Sequence, residues 1–299
     1  MAISVCICTM TRPDDLRRAL EALSQSGAPP LEVLVSDDSP ADDRRSEEVC
    51  RSFAGVHYAP GPRRGLSANR NAVVRRCRGD WVHFIDDDVQ VPPGFYAEAE
   101  RVVAGLDTDC VVTGYQYDFQ PEAETPWLTK PAYCGLWAHM SPAEDGKANC
   151  VVINAALFPR GLFEAALFDE RFRYGWEEAD ITQHAIALGK RVEVAPTLVV
   201  DHYPSPSNRD LYAKLIDASA VYAGLKRQFS YNRSLGGTLL FATVGVGRLL
   251  LHRLRARGVA GATASARGAI QGYSLFLDFL MHKSEPLQPL LRTTDVSKV

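Results

Sequence analysis

Trp81-Val82-His83-Phe84-Ile85-Asp86-Asp87-Asp88 reads as a buried strand that runs straight into three carboxylates. The same pairing of an apolar run with a polar end recurs upstream. Residues 3–8 form a short β-branched run followed by Thr9-Met10-Thr11-Arg12. Residues 31–35 form another, ending in Asp37-Asp38-Ser39-Pro40. Between these two lies Thr11-Arg12-Pro13-Asp14, with a capping threonine, a proline for the first turn and an acid near the helix start. Leu16, Ala19, Leu20 and Leu23 then share one helical face, and residues 27–30 stop that helix. Residues 41–53 predict a second helix, 56–58 a short strand and 67–77 a third helix after Gly65. A β-α-β-α-β-α-β order predicts a mostly parallel sheet covered by helices. In such sheets ligands bind at the carboxyl ends of strands, which is where the three polar clusters fall.

Downstream, residues 110–115 read as a strand. Residues 121–142, rich in Trp, Tyr and Pro, read as loop, and 149–155 as a strand. A short helix at 160–166 precedes a helix at 177–188 closed by Gly189, then strands at 192–194 and 197–200. Beyond Ser205 strand signals vanish and three helical stretches follow. The chain is therefore predicted as an α/β domain over 1–205 with a helical extension over 206–299. Between Gly236 and Leu277 there are five Arg and no Asp or Glu.

The 299 residues suffice for a sizeable core. With 33 basic and 36 acidic residues, the net charge of −3 argues against a nucleic-acid coat or an acidic disordered tail. No CxxC pair occurs among seven Cys, so neither a zinc knuckle nor a disulfide framework is expected, and a reducing cytoplasm is the simpler setting. Met1-Ala2-Ile3-Ser4 has no basic segment or cleavage site, so no signal peptide is expected. The run 235–251, interrupted by four glycines and Arg248, makes a poor membrane span.

On an extended chain Asp86 and Asp88 would share one side and Asp87 the other. Two such carboxylates suit Mg2+ or Mn2+, completed by water and substrate phosphates. A second acidic cluster, Trp176-Glu177-Glu178-Ala179-Asp180, opens a helix. The helix dipole alone favours acids there; a carboxylate beside an activated electrophile is also a general base. His202, at a strand end, becomes a candidate third metal ligand if the aspartates hold a cation.

The ordered set of motifs resembles the family 2 glycosyltransferases, inverting enzymes of the GT-A fold that use nucleoside-diphosphate sugars. It covers about residues 1–205 and rests on Ser4-Val5-Cys6-Ile7-Cys8-Thr9-Met10-Thr11-Arg12-Pro13, Glu32-Val33-Leu34-Val35-Ser36-Asp37-Asp38-Ser39 and Gly65-Leu66-Ser67-Ala68-Asn69-Arg70-Asn71. It continues through Gly79 to Asp88, Phe168-Asp169-Glu170-Arg171-Phe172, Gly175 to Asp180, and His202.

The resemblance implies a nucleotide-sugar-binding half over 1–105 and an acceptor or catalytic half over 106–205. Thr9, Thr11 and Arg12 would contact the nucleoside. Asp37 or Asp38 would hydrogen-bond base or ribose, and Arg70 would face base or diphosphate. Asp86 to Asp88 match the DXD motif, with Asp86 or Asp87 toward the ribose and Asp88 on the metal; His202 matches a metal-ligating histidine. Where the family has Glu-Asp, this chain has Glu177-Glu178, so Glu178, Glu177 and Asp180 are all candidate bases, Glu178 first. An unperturbed Glu titrates near 4.3 and would already be ionised at neutral pH. The Gln-x-x-Arg-Trp motif of processive relatives is absent, which favours transfer of a single sugar. UDP is the commonest carrier in the family, with dTDP and GDP as alternatives; the acceptor hydroxyl would sit on a polysaccharide, a lipid-linked sugar or a natural product.

Trp176 and Asn154 are acceptor candidates, whereas Trp127 and Trp137 read as packing residues. The arginine-bearing tail predicts either a solvated helical face or peripheral attachment at the inner face of a membrane; a homodimer is a further expectation. Two other readings compete. A haloacid-dehalogenase-type phosphotransferase also carries Asp-x-Asp after a strand, but this chain has Gln90 where that pattern wants Thr or Val. A non-catalytic sugar-nucleotide-binding protein on the same fold would tolerate Glu177-Glu178. No GxGxxG follows the first strand, which argues against a nicotinamide dehydrogenase.

Overall fold

The computed structural model describes residues 1–144, 147–205 and 209–282, with backbone alone for 209–214. The first half alternates β1 (Ile3–Thr9), α1 (Pro13–Ser24), β2 (Glu32–Asp37), α2 (Arg45–Arg51), β3 (Val56–Pro60), α3 (Leu66–Val74) and β4 (Trp81–Asp86). Then come β5 (Val89–Gln90), α4 (Phe95–Ala104), β6 (Cys110–Asp118), and short strands β7 (Trp127–Thr129), β8 (Ala132–Cys134) and β9 (Met140–Pro142). Next are β10 (Ala156–Pro159), α5 (Leu162–Ala165), α6 (Glu177–Ala187) and β11 (Arg191–His202). The main sheet runs β3-β2-β1-β4-β10-β6-β11-β5, with β7 on β6. Its β1–β4 half is parallel, as the alternation predicts; β10 is the antiparallel insert.

Period-two alternation on a sheet covered on both sides explains why every residue of β1 is buried. Val5 and Ile7 face a core with Leu16, Leu20 and Leu23 of α1 and Phe95 and Val103 of α4. Cys6 and Cys8 face the opposite core with Val73 and Val74 of α3, Phe163 of α5 and Ile181 of α6. Burying one such side chain contributes about 1.5–3 kcal/mol. The seven cysteines are free and buried within this packing.

Four local readings change. Residues 121–142, expected as loop, carry the short strands β7, β8 and β9. Thr11 does not cap α1: its φ is +57°, its hydroxyl donates to the Met10 carbonyl, and Arg12 sits at the cap. The strand expected at 149–155 lies at β10, because Ile153–Ala155 closes into a 3-10 turn first. The strands at 192–194 and 197–200 are one strand, β11, irregular between Val194 and Val199 where it pairs with β6.

After residue 208 the described chain is helical: α7 (Arg209–Lys226), α8 (Leu235–Leu240) and α9 (Val246–Met281), with π turns at Arg227–Tyr231 and Phe241–Gly245. Val221, Tyr222, Leu225, Phe241 and Phe276 form a third core that also takes in Phe172 and Trp176 from the α/β part. Its polar centre is Lys226, whose Nζ donates to Asp169 at 2.8 Å and Asp180 at 2.7 Å.

Candidate active site

Parallel register puts Thr9 beside Asp37 and Cys8 beside Asp86, so the polar ends of β1, β2 and β4 lie along one edge of the sheet. A cleft of about 880 Å³ opens there, lined by Thr9, Arg12, Asp38, Asn69, Asp86, Asp87, Asp88 and His202, among others.

The strand alternation of the cores continues into the carboxylates. Asp86 follows Phe84 onto the α3–α6 side, where Arg70 of α3 donates to Asp86 Oδ1 at 3.1 Å and to Glu177 Oε1 at 2.9 Å. Arg70 is 2% exposed and lies over the Phe168 ring. It does not line the cleft, so the expected contact with base or diphosphate gives way to a bridge between the two acidic clusters. Burial opposes the Arg70 charge, but Glu177 and Asp86 outweigh it and raise its pKa.

Asp87 follows Ile85 toward α1. It accepts from Thr9 Oγ1 at 2.7 Å and from Arg12 Nη1 at 2.9 Å. Burial pushes its carboxyl up to about 7 despite Arg12. Asp88 does not return to the Asp86 side, because β4 ends at Asp86 and the chain turns at Asp87 and Asp88. Arg12 Nη1 therefore reaches Asp88 as well, at 3.3 Å.

The turn leads into β5, which pairs antiparallel with the end of β11 and sets His202 beside Val89. His202 Nε2 then stands 3.3 Å from Asp88 Oδ1, and its Nδ1 is 2.6 Å from Asp118 Oδ1. Burial lowers the imidazole pKa, but the two carboxylates prevail and raise it to about 10. Burial would likewise raise Asp88, yet His202, the Ser205 amide and Arg12 hold it below its ordinary value.

A divalent cation fits this pair. Two ligands at about 2.1 Å on adjacent octahedral corners lie about 3.0 Å apart, close to the observed separation. Asp118 behind His202 supplies the outer hydrogen bond that orients metal-bound imidazoles. Among the described residues no three His, Cys, Asp or Glu side chains form a closed cage. The remaining positions would fall to water and substrate oxygens, as is usual for Mg2+.

The other expected site residues separate. Asp38 lines the cleft and accepts from the Arg63 amide at 2.8 Å; burial raises its pKa. Asp37 points away, holding the Ser39 amide at 2.9 Å with Tyr58 beside it. Thr11 also stays out of the cleft, its amide on Ser39 Oγ at 2.8 Å. Asp180 is buried, with one oxygen held by Lys226 at 2.7 Å and the other by the Tyr231 hydroxyl at 2.9 Å, so neither is open to a substrate.

Glu178 is half-buried and, like Glu177, is not among the residues that line the cleft; no side-chain donor among the described residues takes up its carboxylate. Burial and the adjacent Glu177 push it up to about 8, so the expectation of an ordinary ionised Glu is corrected. Trp176 takes a left-handed backbone, φ +73°, directly after Gly175 at φ +79°, and packs into the third core instead of facing an acceptor. Trp127 is 63% exposed and Trp137 lies under Arg248, so Trp127 is not a core residue.

Asn154 serves Asp86 instead of an acceptor. Its Oδ1 accepts from the Asp86 amide at 2.8 Å and its Nδ2 donates to Gln116 Oε1 at 2.9 Å. Asn154→Ala would leave both groups buried without partners and should cost about 1–3 kcal/mol, read as a lower urea midpoint. An unchanged midpoint would remove the positioning role.

Several cleft residues carried little sequence signal. Arg63 and Arg64 stand on the lip, Arg64 paired with Glu170 at 2.9 Å. Two arginines just before a glycine and a helix start were the available hint. Gly65 itself is required: φ is +107°, and a Cβ there would lie 2.9 Å from Arg173 Cα. Asp118, which orients His202, Gln116, which donates to Asp118, and Lys226, which pairs with Asp180, had no local signature because each acts across the sheet or between helices.

The family model described as glycosyl transferase family 2 matches residues 4–167, more than half of the chain. The putative glycosyltransferase EpsH of Bacillus subtilis is 27% identical over 128 residues, 42% of this chain and 36% of that protein. The GalNAc(5)-diNAcBac-PP-undecaprenol beta-1,3-glucosyltransferase of Campylobacter jejuni is 28% identical over 100 residues, 31% of each chain. The chain thus spans about a third of the length of these curated relatives. Among solved structures, S. aureus TarS 1–349 in complex with UDP is similar with TM-score 0.54 and 16% identity, covering 94% of this chain and 92% of that one. GalNAc-T7 with UDP, GalNAc and Mn2+ is similar with TM-score 0.56 and 15% identity, over 77% of this chain and 52% of that one. These likenesses show the GT-A fold: a mostly parallel sheet with helices on both faces, here with a C-terminal helical part.

Proposed function

Because the chain belongs to glycosyl transferase family 2, we propose that it moves a single sugar from a nucleoside-diphosphate sugar to an acceptor hydroxyl, with inversion and with Mg2+ or Mn2+ as cofactor. UDP is the carrier we assign, by analogy with the UDP-bound structures of similar fold. The observation that carries this reading is the Arg70 bridge. It joins Asp86 of the aspartate triplet to Glu177 across one buried guanidinium, and Glu178 is the next residue on α6.

In this reading Asp38 accepts from the base or ribose, and Asp86, kept partly exposed by Arg70 and Asn154, takes a ribose hydroxyl. Asp88 and His202 hold the cation. When bound, it neutralises the charge that develops on the departing diphosphate. Arg12 keeps Asp87 and Asp88 compensated and aligned behind it. Glu178 removes the acceptor proton as the hydroxyl attacks the anomeric carbon from the face opposite the leaving group. Arg70 fixes Glu177, whose charge makes Glu178 the more basic of the two. No covalent enzyme intermediate is required.

Thermal-shift titration with UDP tests the reading. With Mn2+ present, saturating UDP should stabilise the chain by about 2.7 kcal/mol at a hundredfold excess over Kd. Asp88→Asn should lose the metal-dependent part of that gain. If UDP stabilises the protein equally in chelator and in Mn2+, the cation assignment is wrong.

A further inference from the structure

We propose that the helical tip around Gly258 is a docking surface for an anionic lipid membrane. The inference does not rest on the proposed reaction. α9 breaks at Gly258, where φ is +65° and ψ is −162°. Arg253 Nη2 donates to Asp217 Oδ1 of α7 at 2.6 Å, and Gly268, fifteen residues later, packs so closely on α7 that a Cβ would lie 3.0 Å from Asp217 Cβ. A straight helix would separate these two positions by about 22 Å along its axis. Both reach one residue because the chain reverses at Gly258, and residues 254–260 between them are all exposed.

The tip has two kinds of exposed side chain. Leu251, Leu254 and Val259 are exposed, Val259 by 74%, and Leu235, Leu239 and Val244 are exposed on the incoming arm. His252, Arg255 and Arg257 are exposed alongside. Among the described residues Arg255 and Arg257 have no ion-pair partner, whereas Arg253 serves Asp217 and Arg248 lies over Trp137. With no Asp or Glu from Gly236 to Leu277, nothing on this arm offsets the arginines.

Apolar side chains for the acyl boundary combined with cations for anionic headgroups are what an interfacial helix requires. The stretch Leu235–Met281 is long and apolar enough to cross a membrane by length and composition, with 22% of its most apolar window buried. The reversal at Gly258 and the clustered arginines favour lying in the interface over spanning it. A second copy of the chain is a poorer occupant, since two-fold pairing would set arginine-rich tips against each other.

The test is flotation of the full chain with vesicles of phosphatidylcholine alone and of phosphatidylcholine with phosphatidylglycerol at about 7:3. The wild type should float with the anionic vesicles only, and about 0.5 M salt should release it. Arg255→Glu/Arg257→Glu should weaken binding about thirtyfold or more. Leu254→Asn/Val259→Asn should weaken it comparably; both variants change exposed positions and should keep the wild-type circular dichroism and melting curve. The proposal is overturned if the wild type stays at the bottom with anionic vesicles, or if it binds neutral vesicles equally. Unchanged binding by both double variants would also overturn it. So would a dimer in sedimentation equilibrium that the same substitutions abolish, which would give this surface to a second copy.

Discussion

Glu178→Gln should lower kcat by about 10²–10⁴-fold while donor binding persists, the range expected when a positioned general base is removed. The amide keeps the side-chain size but cannot accept the acceptor proton. The pH profile sharpens the test. Around Glu178 stand the Glu177 and Asp86 charges, which hold its proton on, and Arg70, which draws it off; burial adds the largest upward push. The carboxyl, raised to about 8 chiefly by burial, ionises as pH rises through that range. Accordingly kcat/KM should climb about tenfold per pH unit below that value and level off above it. Glu178→Gln should lose the climbing limb. Wild-type turnover in the variant would move the base elsewhere; a flat profile in the parent would overturn the raised pKa of Glu178.

Lys226→Met should destabilise the chain by about 3–5 kcal/mol, because it leaves buried carboxylates without their cation. Asp169 keeps Arg171, whose Nη1 lies 3.3 Å away, but among the described residues Asp180 keeps only the Tyr231 hydroxyl. The Lys226→Met/Asp180→Asn double variant should therefore recover much of the loss, which urea denaturation of the three proteins measures directly. A single variant as stable as wild type would show that the ion pairs contribute nothing net. The same cluster ties α7 to the first turn of α6, two residues from Glu178, so the single variant should also depress turnover below its denaturation range.

Some errors of placement have a common cause. Asp86, Asp87 and Asp88 are three in a row, and alternation predicted the side of Asp87 correctly because it extends the strand rule one residue past β4. It failed at Asp88, where the chain turns and Arg12 takes over. Asp37-Asp38 behaved alike: one acid supports the turn and the other faces the cleft. Asn154, Trp176 and Trp127 were misplaced for a different reason. Their environments are made by segments far along the chain, Asp86 and Gln116 for the first, α7 and α9 for the second, and an exposed edge strand for the third.

The chain's own pattern determined the alternating α/β order, the parallel half-sheet and the gathering of polar clusters at strand ends, since hydrophobic period and turn residues act locally and survive without a partner. Which acid meets which cation was settled only by packing. Arg70 joins residues 86 and 177, His202 joins 88 and 118, and Lys226 joins 169 and 180. Charge compensation in a buried site depends on distances of a few ångströms between segments remote in sequence, and no local pattern encodes those distances.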